Sequence, residues 1–565
     1  MIEREIHELV SEAITEASRA GDLGPVPDVI AFDVSRPKQR DHGDWAVNAA
    51  LRLAKALSRP PREIAEAIVA HLPRREWVRA AEVAGPGFVN ITLSHHWLHE
   101  ACRSARRMGE RWGSSDTGAG ASMNVEFVSI NPTGPLHIGS ARNAAIGDSI
   151  ARLLDFQGHR VTREYYFNDA GSQMVNFGLS VAARYLELLG REASLPEDGY
   201  HGAYVIDLAR QILSSEGDRY ADLPLYELGE TMRDLAYPVV IGWIERSLGR
   251  FGVHMDVWFK ERDLFERGEV DAVLSRLDEL GHLYEQDGAR WIRTTAFGDS
   301  RDRAVVRSDG SPTYLLPDLA YHVDKAKRGY ARMVVVLGAD HHGQAPSLKA
   351  GMQALGVDPD RIEVVIYQWV HVLRGGEPLS MGKRAGTFVT LDELIDEVGS
   401  DAARYALLST SSDNTLYFDL EEVKKQSLEN PVFYVQYAHA RICSILRGAA
   451  EDGVQIDDEV RWEELHHDAE VELMRHIATF PETVVQAARA RAPHRLTTYA
   501  QELARAFHGF YTQCHVRTDD AQLRAARLAL ATAARQTLAN ALALLGVSAP
   551  ERMDRHPEDL QEVGA

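Results

Sequence analysis

The sequence predicts an α/β protein that has a parallel central sheet, a helical insertion within that sheet and an all-α C-terminal domain. Strand patterns alternate with helix patterns between residues 116 and 419, which is typical of a parallel sheet. A block at about 172–290 is mostly helical and interrupts this alternation, which resumes with the strand patterns DRAVVR, RMVVVLGAD and EVVIYQWVHVL. From 420 to 565 only helix patterns follow. We therefore expect three domains, the first of them a small α+β domain at 1–115.

Two neighbouring patterns predict the N-terminal domain. The stretch REIAEAIVAHL has the apolar spacing of an amphipathic helix. The stretch AAEVAGPGFVNITL is typical of two short strands joined by a Gly-Pro-Gly turn. The segment from Gly113 to Ser122 is rich in Gly and Ser, which indicates a linker to the second domain.

Charge and composition exclude several classes of protein. The net charge of −21 argues against a protein that coats nucleic acid with its whole surface. Positive charge is local, because nine arginines and only four acidic residues lie between Arg475 and Arg535. No apolar run reaches the roughly 18 residues of a membrane span, and the N-terminus lacks an apolar signal core. We therefore expect a cytoplasmic protein without a membrane partner.

The cysteines are far apart in the sequence and form no CxxC pair, so a structural zinc site or a disulfide framework is not expected. We expect three reduced, buried thiols, at Cys102, Cys443 and Cys514.

The stretch NPTGPLHIGSARNAAIGD, from Asn131 to Asp148, lies between a predicted strand and a predicted helix that ends before Gly158. Strand, Pro/Gly loop, helix and strand together form the first βαβ unit of a nucleotide-binding sheet. Unpaired N–H groups at the helix N-terminus suit a phosphate. Gly139 would leave room for a ligand to approach the backbone, and His137 could donate a hydrogen bond to a phosphate oxygen.

These residues carry a resemblance to a known family. PLHIGSAR resembles the HIGH motif of class I aminoacyl-tRNA synthetases, and VEFVSINPTGPLHIGSARNAAIGDSIARLL resembles arginyl-tRNA synthetases in particular. GDWAVNAALRLAK, TYLLPDLAYH, GADHHG, MGKRAGTFVTLDEL, VQYAHARI and LGVSAPERM extend the resemblance over nearly the whole chain. The sequence departs from the pattern at two places. Ser140 replaces the second histidine of HIGH. In SMGKR the first lysine and the serine of KMSKS are replaced, and the second lysine survives as Lys383.

The resemblance implies ATP-dependent ligation of L-arginine to tRNA(Arg) through an arginyl-adenylate, with release of AMP and pyrophosphate. Activation requires in-line attack on the α-phosphate, so the protein must align the reactants and stabilise charge on the phosphoryl oxygens. His137 and Lys383 are the expected catalytic residues. Magnesium would arrive with ATP, and no tightly bound metal ion is expected. The expected ATP-binding residues are His137, Gly139, Ser140, Asp340, Met381, Lys383 and Arg384.

The substrate's guanidinium is a planar fork of donors that a carboxylate accepts in bidentate fashion. The resemblance places its pocket at TYLLPD, which supplies Asp318. It also implies that residues 1–115 contact the tRNA and that 420–565 bind the anticodon. We expect a monomer. The arginine-binding residues implied by the resemblance are Glu126, Ser129, Asn131, Tyr314, Asp318 and Gln344.

Several alternatives stay open at this stage. Asp318 could be the N-cap of the helix that follows it, and Glu126 could be a polar residue on the face of an edge strand. The chain could also be a synthetase for another amino acid, of which lysine is the nearest competitor. A tRNA-binding paralogue without catalysis is the remaining alternative, and Ser140 is its main support.

Overall fold

The computed structural model describes residues 2–27, 30–37, 42–169, 171–379, 389–454 and 460–553. The chain folds into two compact units. The first comprises the residues up to Gly113 together with Arg441–Glu482 and Glu502–Leu538. The second comprises Ser114–Ala440, Thr483–Gln501 and the residues from Ala539 onward.

The N-terminal part of the first unit is α+β, as predicted. Its strands form an antiparallel sheet in which the two strands flanking the Gly-Pro-Gly turn pair with each other. Gly85 and Gly87 of that turn take φ of +53° and +138°, values that favour glycine. The elements are α1 Ile2–Ala20, β1 Val34–Ser35, β2 Trp45–Val47, α2 Ala49–Leu57, α3 Pro61–Ala70, β3 Val78–Ala84, β4 Phe88–Leu93 and α4 His95–Met108.

The second unit contains the alternating part of the chain. Its elements are β5 Ser122–Glu126, α5 Ile138–Phe156, β6 Arg160–Phe167, α6 Ser172–Leu188, α7 Ala203–Glu216, α8 Leu225–Arg250, β7 Val257–Lys260, α9 Glu261–Glu266, α10 Glu269–Glu279, β8 Leu283–Gln286, β9 Ala289–Ile292, β10 Arg303–Val306, α11 Leu315–Lys327, β11 Arg332–Gly338, α12 Gln344–Ala354, β12 Ile362–Tyr367, β13 Val370–Arg374, β14 Glu377–Pro378, α13 Leu391–Val398, α14 Ser400–Leu408 and β15 Leu416–Asp419.

The central sheet has the order β12-β11-β5-β6-β7, and every neighbouring pair is parallel. The parallel sheet predicted from the alternation is thus confirmed. Successive strands run outward from β5 on one side, through β6 and β7, whereas β11 and β12 lie on the other side. Open α/β sheets bind ligands at such a switch point, in the crevice outside the carboxyl ends of the strands.

Several strands lie where the sequence pattern did not place them. The block predicted as mostly helical, 172–290, contains β7, which is the edge strand of the parallel sheet, and also β8 and the start of β9. With only four residues, β7 gives little period-2 signal. The stretch DRAVVR forms β10, which belongs to a separate antiparallel sheet with β9 and β8 rather than to the parallel sheet. Pairing partners are set by tertiary contacts that periodicity does not encode.

The C-terminal elements are α15 Leu420–Lys424, α16 Pro431–Glu451, α17 Asp468–Ala490, α18 His494–Gln513 and α19 Ala521–Leu545. Among the described residues of this region only helices occur, as predicted. In the described part of the chain, α19 alone is long and apolar enough to cross a membrane by length and composition, and 72% of its apolar window is buried inside the protein. All three cysteines are buried, as expected.

Helix α5, which begins at the HIGH-like motif, is fixed in the second unit by a buried arginine. Arg404 on α14 donates to a carboxylate oxygen of Asp148 on α5 at 2.6 Å and to the carbonyls of Phe251 and Leu545, each at 3.0 Å. Burial of a lone guanidinium would be costly, and Asp148 offsets that cost. The C-terminal end of α19 and the middle of α5 are therefore held together through one side chain.

Candidate active site

The chain turns sharply after β5, at the carboxyl end of the sheet. Val128 and Ser129 take φ of +69° and +38°, in the left-handed region that a β-branched residue rarely adopts. The Asn143 side chain on α5 holds the turn: its Oδ1 accepts from the Val128 N–H at 2.8 Å, and its amide donates to the Val336 carbonyl at 3.1 Å. Ser129 Oγ accepts from the Tyr166 N–H at 3.2 Å. Backbone strain of this kind clusters at functional sites.

His137 is the N-cap of α5. Its Nδ1 accepts from the N–H groups of Gly139 at 3.1 Å and Ser140 at 3.4 Å. Because Nδ1 is an acceptor here, the proton of the neutral ring sits on Nε2. A Cβ at position 139 would lie 2.9 Å from His137 Cε1. Gly139 therefore leaves room for the imidazole itself, in addition to any ligand.

The first amides of α5 are not available in the way the sequence suggested. The Ile138 N–H donates to the Val389 carbonyl at 3.2 Å, and the next two N–H groups donate to His137 Nδ1. The expectation that these three N–H groups are unpaired is therefore wrong, whereas phosphate binding at this end of the helix stays a prediction. His137 thus lies at the positive end of the helix dipole, where its side chain caps the first turn.

Ser140, which stands where the motif usually has its second histidine, is buried. Its Oγ has no hydrogen-bond partner among the described residues.

The chain that follows the second motif returns to the first. The Leu391 N–H donates to the Leu136 carbonyl at 2.9 Å, and Thr390 is bridged to His137 in an antiparallel pair. Thr390 also forms a capping box with Glu393 at the start of α13. The predicted residues Met381, Lys383 and Arg384 lie outside the described residues, but the segment they precede is thus anchored beside His137.

Arg142 on α5 anchors the other flank of the second motif. It is fully buried and donates to four backbone carbonyls: those of Gln368 at 2.6 Å, Trp369 at 3.3 Å, Ser411 at 3.1 Å and Asn414 at 3.0 Å. Burial lowers the pKa of Arg142 to about 10, so it stays charged at neutral pH. The helix of the first motif therefore holds the start of the β13–β14 hairpin, which precedes the second motif.

Glu126, at the end of β5, already has a cationic partner. Its Oε2 lies 2.5 Å from the Nζ of Lys325 on α11, and both side chains are buried. The neighbouring Glu164 on β6 accepts two hydrogen bonds from Arg328, at 2.7 and 2.8 Å, and one from the hydroxyl of Tyr321. Burial raises the pKa of Glu164, but these partners outweigh it and hold the pKa below its ordinary value. The predicted contact of Glu126 with the substrate ammonium stays a prediction.

Asp318 is not the N-cap of α11. The N-cap is Tyr314, without a side-chain hydrogen bond to the helix, and Asp318 lies in the turn that follows. Its carboxylate is 34% exposed, and Oδ1 lies 3.1 Å from Nδ1 of His322. Tyr314 is largely exposed. The carboxylate is therefore accessible to a ligand, and the alternative in which Asp318 serves only to cap α11 is wrong.

A second carboxyl group near Asp318 was not identified from the sequence. Glu261 begins α9 directly after β7, is buried, and accepts a hydrogen bond from the Tyr166 hydroxyl. Burial raises the pKa of Glu261 to about 7, and the negative charges of Asp169 and Asp318 add to this effect against the Tyr166 hydrogen bond. This cluster of carboxyl groups therefore carries an excess of negative charge. The sequence signal that could have found Glu261 is its position after a strand, VWFK, at the carboxyl edge of the sheet.

Asp340 and Gln344 lie after the carboxyl end of β11, across the switch point from β5. Asp340 is in the short 3₁₀ turn Ala339–His341, and Gln344 is the first residue of α12. Both side chains are exposed, and Gln344 Oε1 accepts from His341 Nδ1 at 3.2 Å. Asn131, in the loop before α5, donates to Gln173 Oε1 at 2.7 Å. The described residues contain no group of three His, Cys, Asp or Glu side chains that could hold a metal ion.

Comparison with known proteins covers the whole chain. The family described as arginyl tRNA synthetase N terminal domain matches residues 4–93, the catalytic domain of class I (R) tRNA synthetases matches 110–440, and the DALR anticodon binding domain matches 435–553. The curated arginine–tRNA ligase of Moorella thermoacetica is 49% identical over 97% of this chain and 99% of its own. That of Heliobacterium modesticaldum is 45% identical over 98% and 99%. The structure of Thermus thermophilus arginyl-tRNA synthetase, 23% identical, shares the fold with a TM-score of 0.77 over 98% of this chain and 100% of its own.

A histidine-capped helix at the switch point of a parallel sheet, inside the matched catalytic domain, defines this protein as a class I aminoacyl-tRNA synthetase. The curated relatives are arginine–tRNA ligases, which identifies the amino acid as arginine. The chain belongs to the arginyl-tRNA synthetase family, and it is an enzyme that ligates arginine to tRNA at the expense of ATP.

Proposed function

We propose that the chain activates L-arginine with ATP at the crevice between β5 and β11, forms arginyl-adenylate, and transfers the arginyl group to tRNA(Arg). The observation that carries the choice of amino acid is the pair of neighbouring carboxyl groups, Asp318 and Glu261. A lysine side chain offers a single ammonium, whereas a guanidinium presents a planar set of donors that two carboxylates can accept.

In the activation step, the arginine carboxylate attacks the α-phosphate and pyrophosphate leaves. His137 donates its Nε2–H to a phosphoryl oxygen as negative charge develops there. The capping hydrogen bonds hold the ring in place before ATP binds, so little reorganisation is needed in the transition state. Lys383 and Arg384 serve the leaving phosphates, and Mg²⁺ enters with ATP as part of the substrate. Asp340 contacts the adenosine.

The amino-acid pocket takes the substrate side chain between Asp318 and Glu261. Ser129, Asn131 and Gln344 contact the remainder of the amino acid. Tyr166 hydrogen-bonds the Glu261 carboxyl group and so keeps it oriented.

Steady-state aminoacylation by Asp318→Asn tests this pocket. We expect kcat/KM for arginine to fall about 30-fold to several-thousand-fold, because removing one partner of a buried charge pair costs roughly 2–5 kcal/mol. The KM for ATP should change little. Asp271→Asn, on the exposed face of α10, is the control. If Asp318→Asn charges tRNA with arginine within a few-fold of wild type, another carboxylate selects the substrate.

We propose that the C-terminal helices bind the anticodon. We also propose that residues 1–115 contact the outer part of the tRNA. Among the arginines between 475 and 535, three form ion pairs within the protein: Arg491 with Glu363, Arg517 with Asp452 and Arg527 with Glu470. The other arginines of that segment remain candidates for phosphate contacts. We also propose that the enzyme works as a monomer in the cytoplasm.

A further inference from the structure

The first compact unit contains a cavity of about 270 Å³ that lies apart from the catalytic residues. Side chains of α1, α4 and α17 line it, and all of its lining residues belong to this unit. Its volume is slightly below that of ordinary small-molecule sites, roughly 300–1,000 Å³. The chemically distinctive residues of its wall are Trp77, Trp97, Trp112, Glu5, Glu100 and Glu482.

The wall combines three indole rings with three carboxylates. Among the described residues that line the cavity there is no lysine or arginine. His96 also lines it, and its Nε2 lies 3.6 Å from the Oε2 of Glu76. Glu482 pairs with Arg36 at 3.1 Å, and Glu100 pairs with Arg103 on its own helix. Among the described residues, Glu5 has no lysine or arginine side chain within ion-pair distance. Burial raises the pKa of Glu5, and this effect outweighs the positive charge of the chain's N-terminus, which lowers it.

The chemistry of this wall decides the class of occupant. Carboxylates repel a phosphate, so a nucleotide does not fit. A purely apolar molecule would leave the Glu5 carboxylate without a side-chain counter-charge in a partly desolvated site, which is unfavourable. A cation over the faces of tryptophan rings is attracted by their quadrupoles, and aromatic cages use this effect to hold ammonium groups.

We propose that this cavity, the tryptophan–glutamate cavity, binds a small organic cation with a guanidinium or alkylammonium head group. The head group contacts the Glu5 carboxylate, and the Trp77 and Trp97 rings cover its apolar stem. An amino acid such as arginine would bind more weakly than a cation without a carboxylate, because its own carboxylate faces Glu100 and Glu482.

Isothermal titration of the full chain with n-butylguanidinium tests the proposal, with n-butylurea as the neutral molecule of the same shape. The titrations use the Asp318→Asn background, so that the proposed arginine pocket does not contribute. We expect saturable binding of n-butylguanidinium, at least tenfold tighter than that of n-butylurea. Titration with n-butylammonium distinguishes a guanidinium site from an alkylammonium site.

Glu5→Gln should weaken n-butylguanidinium binding about tenfold, and Trp97→Leu should weaken it at least threefold. Glu16→Gln, the same change on the same helix outside the cavity, should leave the affinity unchanged. Burial raises the pKa of Glu5, so the neutral Gln should not destabilise the fold, and thermal unfolding checks this. The proposal is overturned by absence of saturable binding, by equal affinity for n-butylurea, or by equal losses in Glu5→Gln and Glu16→Gln.

Discussion

Replacing Glu261 by Gln keeps the shape of the side chain and removes its charge from the proposed arginine pocket. At pH 8 the Glu261 carboxyl group, with a pKa of about 7, is mostly ionised. Losing one partner of a buried charge pair costs roughly 2–5 kcal/mol. At about 1.4 kcal/mol per decade, kcat/KM for arginine should fall about 30-fold to several-thousand-fold.

The pH dependence of the KM for arginine gives a second prediction, whose expected size is defined more narrowly. A bound guanidinium favours the ionised carboxylate, so a proton on Glu261 competes with arginine. The ionised fraction falls from about one half at pH 7 to about one tenth at pH 6. The KM for arginine in the wild type should therefore rise roughly fivefold between these pH values, and this rise should vanish in Glu261→Gln.

Arginine-dependent ATP–pyrophosphate exchange in the presence of tRNA, between pH 6 and pH 8, measures both effects. Glu266→Gln, at the exposed end of the same helix, is the matched control. The folded state raises the pKa of Glu261 above its ordinary value, so its ionisation destabilises the fold as pH rises through 7. Glu261→Gln should therefore unfold at an equal or higher temperature at pH 8. A variant that keeps a KM within a few-fold of wild type, with the same pH dependence, would refute the role of Glu261.

Three further predictions concern the phosphate site, the packing of α5 and the tRNA surface. His137→Asn retains an N-cap residue but removes the Nε2–H donor, so kcat should fall about 10²–10³-fold with an unchanged unfolding temperature; steady-state kinetics and calorimetry check this. Gly147→Ala places a Cβ 2.2 Å from Cγ of Phe127, and we expect a loss of roughly 1–3 kcal/mol in unfolding free energy by chemical denaturation. Gly249→Ala, whose Cβ would meet nothing within 4 Å, should cause no such loss. The affinity for tRNA should fall with rising salt, since phosphate contacts release counterions; an affinity independent of salt would contradict the proposed arginine-rich docking surface.

The sequence by itself determined the elements whose signal is local. The period-3.6 apolar pattern predicted α5, and Gly158 takes φ +82° just after its end, as expected for a C′ glycine. The Gly-Pro-Gly turn predicted the β3–β4 pair. Alternation predicted the parallel sheet, because strands joined by helices must run in the same direction. The motif string placed His137 in the loop before α5.

Only the tertiary structure decided how those residues are used. Glu261 lies near Asp318 because it follows β7, and β7 pairs with β6. The sequence did not predict this, since a strand of four residues gives almost no period-2 signal. Lys325 neutralises Glu126 from 199 residues away, and no local pattern encodes such a pair. The N–H groups at the start of α5 were expected to be unpaired and to suit a phosphate. In the folded chain those of Gly139 and Ser140 donate to His137 Nδ1, because the N-cap side chain lies within hydrogen-bond distance of them. Contacts between distant residues depend on the packing of the whole chain, and so they become visible only when the chain is folded.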